Sequence, residues 1–213
     1  PPLFLGSLSE KIGKKTLVSF AMPVMILGIA FIVLTDNLVL FITGILLSGA
    51  GYSVTEATLT ATLGVEFSEK SALHLGLSQA GFSVGAVLAP LWCDALFNAG
   101  YSYRHAFGIV GIALIVTCIL FLFTRHERDI RGSAHSGIGQ VARFFTRPAF
   151  LLLALSMFLS TGIEEIVAFF MGSYMELTLS LPANYSALAL SLFWAGMIPS
   201  RLLLGAFRLP HKT

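Results

Sequence analysis

Six long apolar runs, separated by short polar loops, dominate this sequence. They fall at about Thr16–Thr35, Leu38–Leu63, Leu73–Phe97, His105–Thr124, Pro148–Leu177 and Ala187–Phe207. A helix that crosses a bilayer needs about 20 mostly apolar residues. Within hydrocarbon only helices and closed barrels satisfy every backbone N–H and C=O. Barrel strands alternate in polarity over about 10 residues, whereas these runs are longer and continuously apolar. The pattern predicts an all-α membrane protein with six transmembrane helices. Pro23, Pro90 and Pro199 fall in or near the ends of these runs. Membrane helices tolerate them because neighbouring groups satisfy the freed carbonyls.

Composition narrows the function classes. Only 11% of the 213 residues are charged and 56% are hydrophobic, against about 25% charged in soluble domains. That excludes a water-soluble enzyme, a disordered tail and a nucleic-acid binder. Cys93 and Cys118 lie inside apolar runs, with no disulfide framework and no metal-ligand spacing, so no cofactor is expected. His74, His105, His126, His135 and His211 sit at run edges or in loops. An intramembrane hydrolase needs a nucleophile or metal dyad at depth, so no enzyme is expected.

Charge placement orients the chain. All but Arg104 and Arg201 of the 13 Lys and Arg residues fall in alternate loops or at the ends, on one side of a six-span layout. By the positive-inside rule that side is cytoplasmic, so both ends and the loop 125–147 are expected there, in a cell membrane. This loop carries five arginines and a Gly/Ser stretch before Ile138, Val141, Phe144 and Phe145. It reads either as a surface amphipathic helix or as a solvated linker, and in both cases as the boundary between 1–124 and 148–213. The chain opens on Pro1-Pro2 and closes just after an apolar run, as expected of a piece of a longer protein.

Polar groups inside the runs mark a candidate pathway. Ser48, Tyr52, Glu56 and Thr60 follow one another at i+4 steps, a polar stripe on an apolar helix. An acid near mid-membrane costs roughly 2.5 kcal/mol or more, which a water-filled pathway would explain; reach to headgroup water is the alternative for Glu56. Gln79 needs a polar partner, in a solute or on a helix. Gly81 and Gly85 form a small-xxx-small pair suited to close helix packing. Glu164 and Glu165 stand in tandem beside Ser160 and Thr161. Neighbouring acids in hydrocarbon compete for one ionised state, so the pair is read as proton-handling equipment. Glu164 lies about two residues, or about 3 Å, from the centre of its run. Glu56 lies nearer cytoplasmic water and ranks second, with Glu165 third. Trp194 sits mid-run, placed either to stack on a sugar or to pack. Arg201 lies toward the cytoplasmic end, where snorkelling suits a gate or anchor.

The loop G-S-L-S-E-K-I-G-K-K, Gly6 to Lys15, resembles the loop signature of the major facilitator superfamily. Gly6, Leu8, Ser9, Glu10, Lys11, Gly13, Lys14 and Lys15 fill its constrained positions. The two glycines permit a tight turn, and Lys14 and Lys15 are expected to anchor at the anionic leaflet. The resemblance implies that Gly6, Glu10, Lys11, Gly13, Lys14 and Lys15 form a cytoplasmic latch. It also implies that the runs are helices three to eight of a twelve-helix fold built from two halves. The remaining helices, a small-molecule substrate, protons and the lipid bilayer would then be the partners. Gly49 and Gly51 ahead of an acid, Gln79-x-x-Phe82-x-x-Gly85, Gly162 with Glu164 and Tyr174, and Phe193-Trp194-x-Gly196 with Arg201 and Gly205 resemble the fucose/proton symporter branch. That resemblance implies proton symport of a sugar or similar solute, with Tyr52, Gln79, Ser160 and Trp194 along its pathway. Drug or metabolite export on the same fold is the alternative. A non-transporting scaffold or receptor is the rival from another class.

Overall fold

The computed structural model describes residues 12–66, 71–124 and 147–206. It contains helices α1 (Lys14–Leu34), α2 (Leu38–Glu66), α3 (Ser71–Asn98), α4 (Tyr103–Phe123), α5 (Pro148–Ser173) and α6 (Ala183–Ala206). Each is long and apolar enough to cross a membrane. The helices start where the chain supplies a stop or a cap. Gly13 turns at φ 87° immediately before α1. Asn37 Oδ1 accepts the N–H groups of Val39 (2.9 Å) and Leu40 (3.3 Å) at the start of α2, an N-cap in the usual sense. The end of the fifth run differs from a plain helix. It widens into a π-helical turn at Tyr174–Thr178, closed by Leu179 N–H on Tyr174 O at 3.2 Å, before Ser180 turns at φ 52°.

The chain divides into two compact units. In the first, α1, α2 as far as Thr62, and α4 pack together. The contact between α1 and α2 rests on missing side chains. A Cβ on Gly28 would lie 2.5 Å from Ser48 N and 2.6 Å from Gly44 O, and one on Gly51 would lie 2.6 Å from Ala21 O. Lipid is as apolar as leucine, so membrane helices associate through such backbone approach and van der Waals fit. Val18, Met22 and Cys118 form the buried centre between α1 and α4.

The ends of α1 and α4 are tied reciprocally. Lys15, in the first turn of α1, donates Nζ to Thr124 O at 2.5 Å and Leu122 O at 3.5 Å. Arg104, in the first turn of α4, donates Nη2 to Thr35 O at 3.1 Å and pairs with Asp36. A cation thus meets the orphan carbonyls at the C-terminus of each helix, where the macrodipole favours it.

In the second unit α3 packs along α6, and α5 leans on α6. Ser191 Oγ donates to Val87 O at 2.8 Å across the α3–α6 contact. Gly81 and Gly85 play no part in this packing. A Cβ at either position meets nothing within 4 Å, because α6 approaches the face of α3 that carries Gln79, Ser83 and Val87.

Candidate functional site

Three helices of the second unit bring their polar residues to one place. On α3, Gln79 and Ser83 are one helical turn apart and share a face. Ser83 is fully buried, and its hydroxyl donates to Gln79 O at 3.1 Å. From α6, Arg201 donates Nη1 to Ser83 Oγ at 2.5 Å and to Gln79 O at 3.1 Å. Its Nη2 lies 3.3 Å from Oε1 of Glu164 on α5. The Ser83 hydroxyl therefore accepts from the guanidinium while donating to the carbonyl, using both its capacities. The Phe82 ring covers one face of the guanidinium, with Cζ 5.5 Å from the ring centroid. Phe82 meets Trp194 edge to face at 5.7 Å, and Trp194 meets Phe193 at 5.6 Å.

The geometry changes the reading of several residues. Arg201 does not snorkel toward the near end of α6. Cα–Cβ bonds tilt toward a helix N-terminus, so the side chain is aimed back along α6 toward Ser83 and Glu164. The partner that Gln79 offers is its backbone carbonyl. Trp194 is 9% exposed, held between Phe82 and Phe193, so in this conformation it packs and presents no open ring face. Ser160 is exposed one turn before Glu164. Glu165 is exposed about 100° round α5 and has no partner among the described residues. The tandem acids therefore do different things: Glu164 holds the arginine and Glu165 does not.

The stripe on α2 also divides. Steps of four residues drift about 40° each on a helix with 3.6 residues per turn. Ser48 therefore turns inward against Gly28, while Tyr52, Glu56 and Thr60 emerge on an exposed face. Thr55, Thr58 and Thr62 are buried on the packed side. Thr58 and Thr62 return their hydroxyls to Val54 O and Thr58 O at 2.7 Å. The Thr55 hydroxyl has no hydrogen-bond partner among the described residues.

Of the latch residues, Gly6, Glu10 and Lys11 lie outside the described residues. Gly13 adopts the positive φ that glycine permits. Lys15 departs from expectation: its amine caps α4 instead of reaching lipid headgroups, because the α4 carbonyls supply acceptors within its length. Lys14 is half-buried beside it.

Ser83 is the residue that sequence reasoning passed over. Its i+4 spacing from Gln79 was the available signal, but a serine in a membrane helix usually bonds its own backbone. Only the approach of α6 gives it a second role. The Arg201–Glu164 pair joins residues 37 apart on helices whose facing is invisible in sequence. It is neutral overall, which lowers the cost of two charges at membrane depth. Among the described residues the guanidinium is not saturated: its Nε–H and one Nη2–H meet no acceptor, so the site can take a further anionic or polar group.

Comparison with known proteins fits this architecture. The Major Facilitator Superfamily profile matches residues 2–211. Over 203 residues the chain is 27% identical to a Bacillus subtilis (strain 168) protein described as the uncharacterized MFS-type transporter YfkL; the match covers 93% of this chain and 51% of that protein. Over 118 residues it is 30% identical to the agnestins efflux protein AgnL12 of Paecilomyces divaricatus, covering 54% of this chain and 27% of that one. The chain thus spans about half the length of the Bacillus relative. No solved structure matches it. With a family match over nearly its whole length and six membrane-length helices, the chain belongs to the Major Facilitator Superfamily of multi-pass membrane transporters.

Proposed function

We propose that the protein carries a small, sugar-sized polar solute across the cell membrane by proton symport with alternating access, and that Glu164 is the proton site. The Arg201–Glu164 pair carries this reading: a carboxylate near mid-span is held 3.3 Å from a cation, both only partly exposed. Protonating Glu164 breaks the pair and leaves Arg201 seeking another acceptor, so proton loading changes what the pathway can hold. On this reading the six helices are the third to eighth of twelve. Residues 125–147 join the two halves, both ends face the cytoplasm, and the bare flank of α5 is covered by the remaining helices. Glu56, on the exposed stripe with Tyr52, is the second candidate for the proton, and Glu165 the third.

The test is Glu164→Gln in the complete protein that contains this chain. Gln keeps the shape and an oxygen for Arg201 but cannot cycle a proton. Uphill, proton-driven uptake should be lost while counterflow exchange persists. Accumulation against a gradient by the Gln variant would sink the assignment and pass the test to Glu56 and Glu165. The name of the fungal relative favours a second reading, proton-coupled efflux. Transport into inverted but not right-side-out vesicles would select it.

A further inference from the structure

The unsaturated guanidinium bears on what the solute is. We infer that Arg201 is the receptor for a carboxylate on the transported solute, and that Glu164 occupies the guanidinium in its place when no solute is bound. This rests on reading α3, α5 and α6 as lining the transport pathway.

Arginine has five N–H donors in a fixed planar fork, matched to the two oxygens of a carboxylate. Here two Nη1 bonds go to groups that cannot leave, the Ser83 hydroxyl and the Gln79 carbonyl. They hold the fork in position, as does the Phe82 ring on its face. Glu164 takes a single bond from Nη2, at 3.3 Å, longer than the about 2.7–2.9 Å of a strong charge-assisted bond. A pre-positioned cation, held by neutral groups and loosely by one anion, suits exchange of that anion for another.

Charge bookkeeping links the exchange to protons. A proton taken from water converts the Glu164 carboxylate to a neutral acid, and the incoming carboxylate replaces its charge beside Arg201. The site gains one proton and one negative charge, so its net charge is unchanged and no uncompensated charge crosses hydrocarbon. Among the described residues few other ionisable groups lie near this exchange. Glu165 neighbours Glu164 on α5, Arg201 faces it from α6, and Gln79 and Ser83 face it from α3. His74 lies more than a turn before Gln79, and Asp94 lies about three turns beyond Ser83. Glu176 lies in the π-helical turn beyond α5 and Tyr185 in the first turn of α6, both away from the Arg201 end of α6. The class indicated is a small monocarboxylate of sugar size, of which a sugar acid is the simplest example.

The test is thermal unfolding of the purified complete protein with D-glucuronate, D-glucose or acetate, at pH 5.5 and 7.5. D-Glucuronate should raise the unfolding midpoint, more at pH 5.5, while D-glucose leaves it unchanged. Acetate should act weakly; an acetate shift equal to that of glucuronate would assign the site to bare anions and overturn the solute class. Arg201→Gln should abolish the glucuronate shift. Arg201→Lys keeps the charge but not the fork, and should require about tenfold more glucuronate; it decides the matter if the Gln variant does not fold. Glu164→Gln should keep the shift and remove its dependence on pH. Equal shifts from glucose and glucuronate, no shift from glucuronate, or an undiminished shift in both Arg201 variants would overturn the inference. Proton-driven uptake lost in Glu164→Gln without glucuronate binding would leave the transport reading standing. Glucuronate binding through Arg201 without proton-driven uptake would do the reverse.

Discussion

Nη2 of Arg201 stands 3.3 Å from Oε1 of Glu164, so a cation near the end of one membrane helix meets a carboxylate near the middle of another. The arginine keeps 17% of its side chain exposed and the glutamate 26%. Removing one partner therefore strands the other where water is scarce. Arg201→Gln alone should destabilise the complete protein by about 3 kcal/mol, the low end for a buried pair because neither group is fully enclosed. The double variant Arg201→Gln, Glu164→Gln should recover much of that loss. Additive losses in a double-mutant cycle would mean that the pair contributes no coupling.

Close approach of α1 and α2 makes Gly28 intolerant of any side chain. Gly28→Ala places a Cβ 2.5 Å from Ser48 N and 2.6 Å from Gly44 O. Backbone on the facing helix cannot step aside, so a loss of about 1–3 kcal/mol is expected. A Cβ at Gly108 meets nothing within 4 Å. Gly108→Ala should therefore be neutral or stabilising by up to about 1 kcal/mol, from helix propensity alone. Gly28→Ala should lower the unfolding midpoint, while Gly108→Ala leaves it unchanged or raises it.

Lys15 caps the end of α4 at 2.5 Å. Lys15→Met keeps the aliphatic stem and removes the donor, at a cost of about 1 kcal/mol. At the other end of the same helix pair, Asp36 is 90% exposed. Asp36→Asn should have a smaller effect, and one that fades as salt is added. Arg104 keeps its bond to Thr35 O in that variant. Melting curves at low and high salt separate the two contributions.

Gly13 turns at φ 87° where the loop enters α1. A β-branched residue is strained there, so Gly13→Val should displace Lys15 from α4. Transport by the complete protein should fall more than its abundance, because the loop must repack as the protein changes conformation. A change in abundance alone would reduce the loop to a determinant of topology.

Sidedness is testable without knowing the solute. With Cys93 and Cys118 replaced, single cysteines at Ser136 and Asn98 should label from opposite faces of the membrane, Asn98 from outside. Labelling from one face would contradict six spans with cytoplasmic basic loops.

The six spans were readable in the sequence because the bilayer imposes a length and polarity that each segment must meet by itself. Predicted and observed limits agree to within a few residues, from Leu38 at the start of α2 to Pro148 at the start of α5. The π-helical turn at Tyr174–Thr178 left no such mark. Glu164 stood out because an acid in hydrocarbon is costly wherever it points. What it meets depends on which faces of α3, α5 and α6 come together. The sequence singled out both Arg201 and Glu164, yet read one as a gate or anchor and the other as a proton site ahead of Glu56 and Glu165, and did not join them. The glycines show the same divide. Gly81 and Gly85 have the spacing of a packing motif but meet nothing among the described residues, whereas Gly28, Gly44 and Gly51 bring α1 and α2 into contact. Nearly every face of a membrane helix is apolar, so hydrophobic pattern cannot say which face packs. Tertiary structure decided that through steric fit and the few polar groups able to find one another.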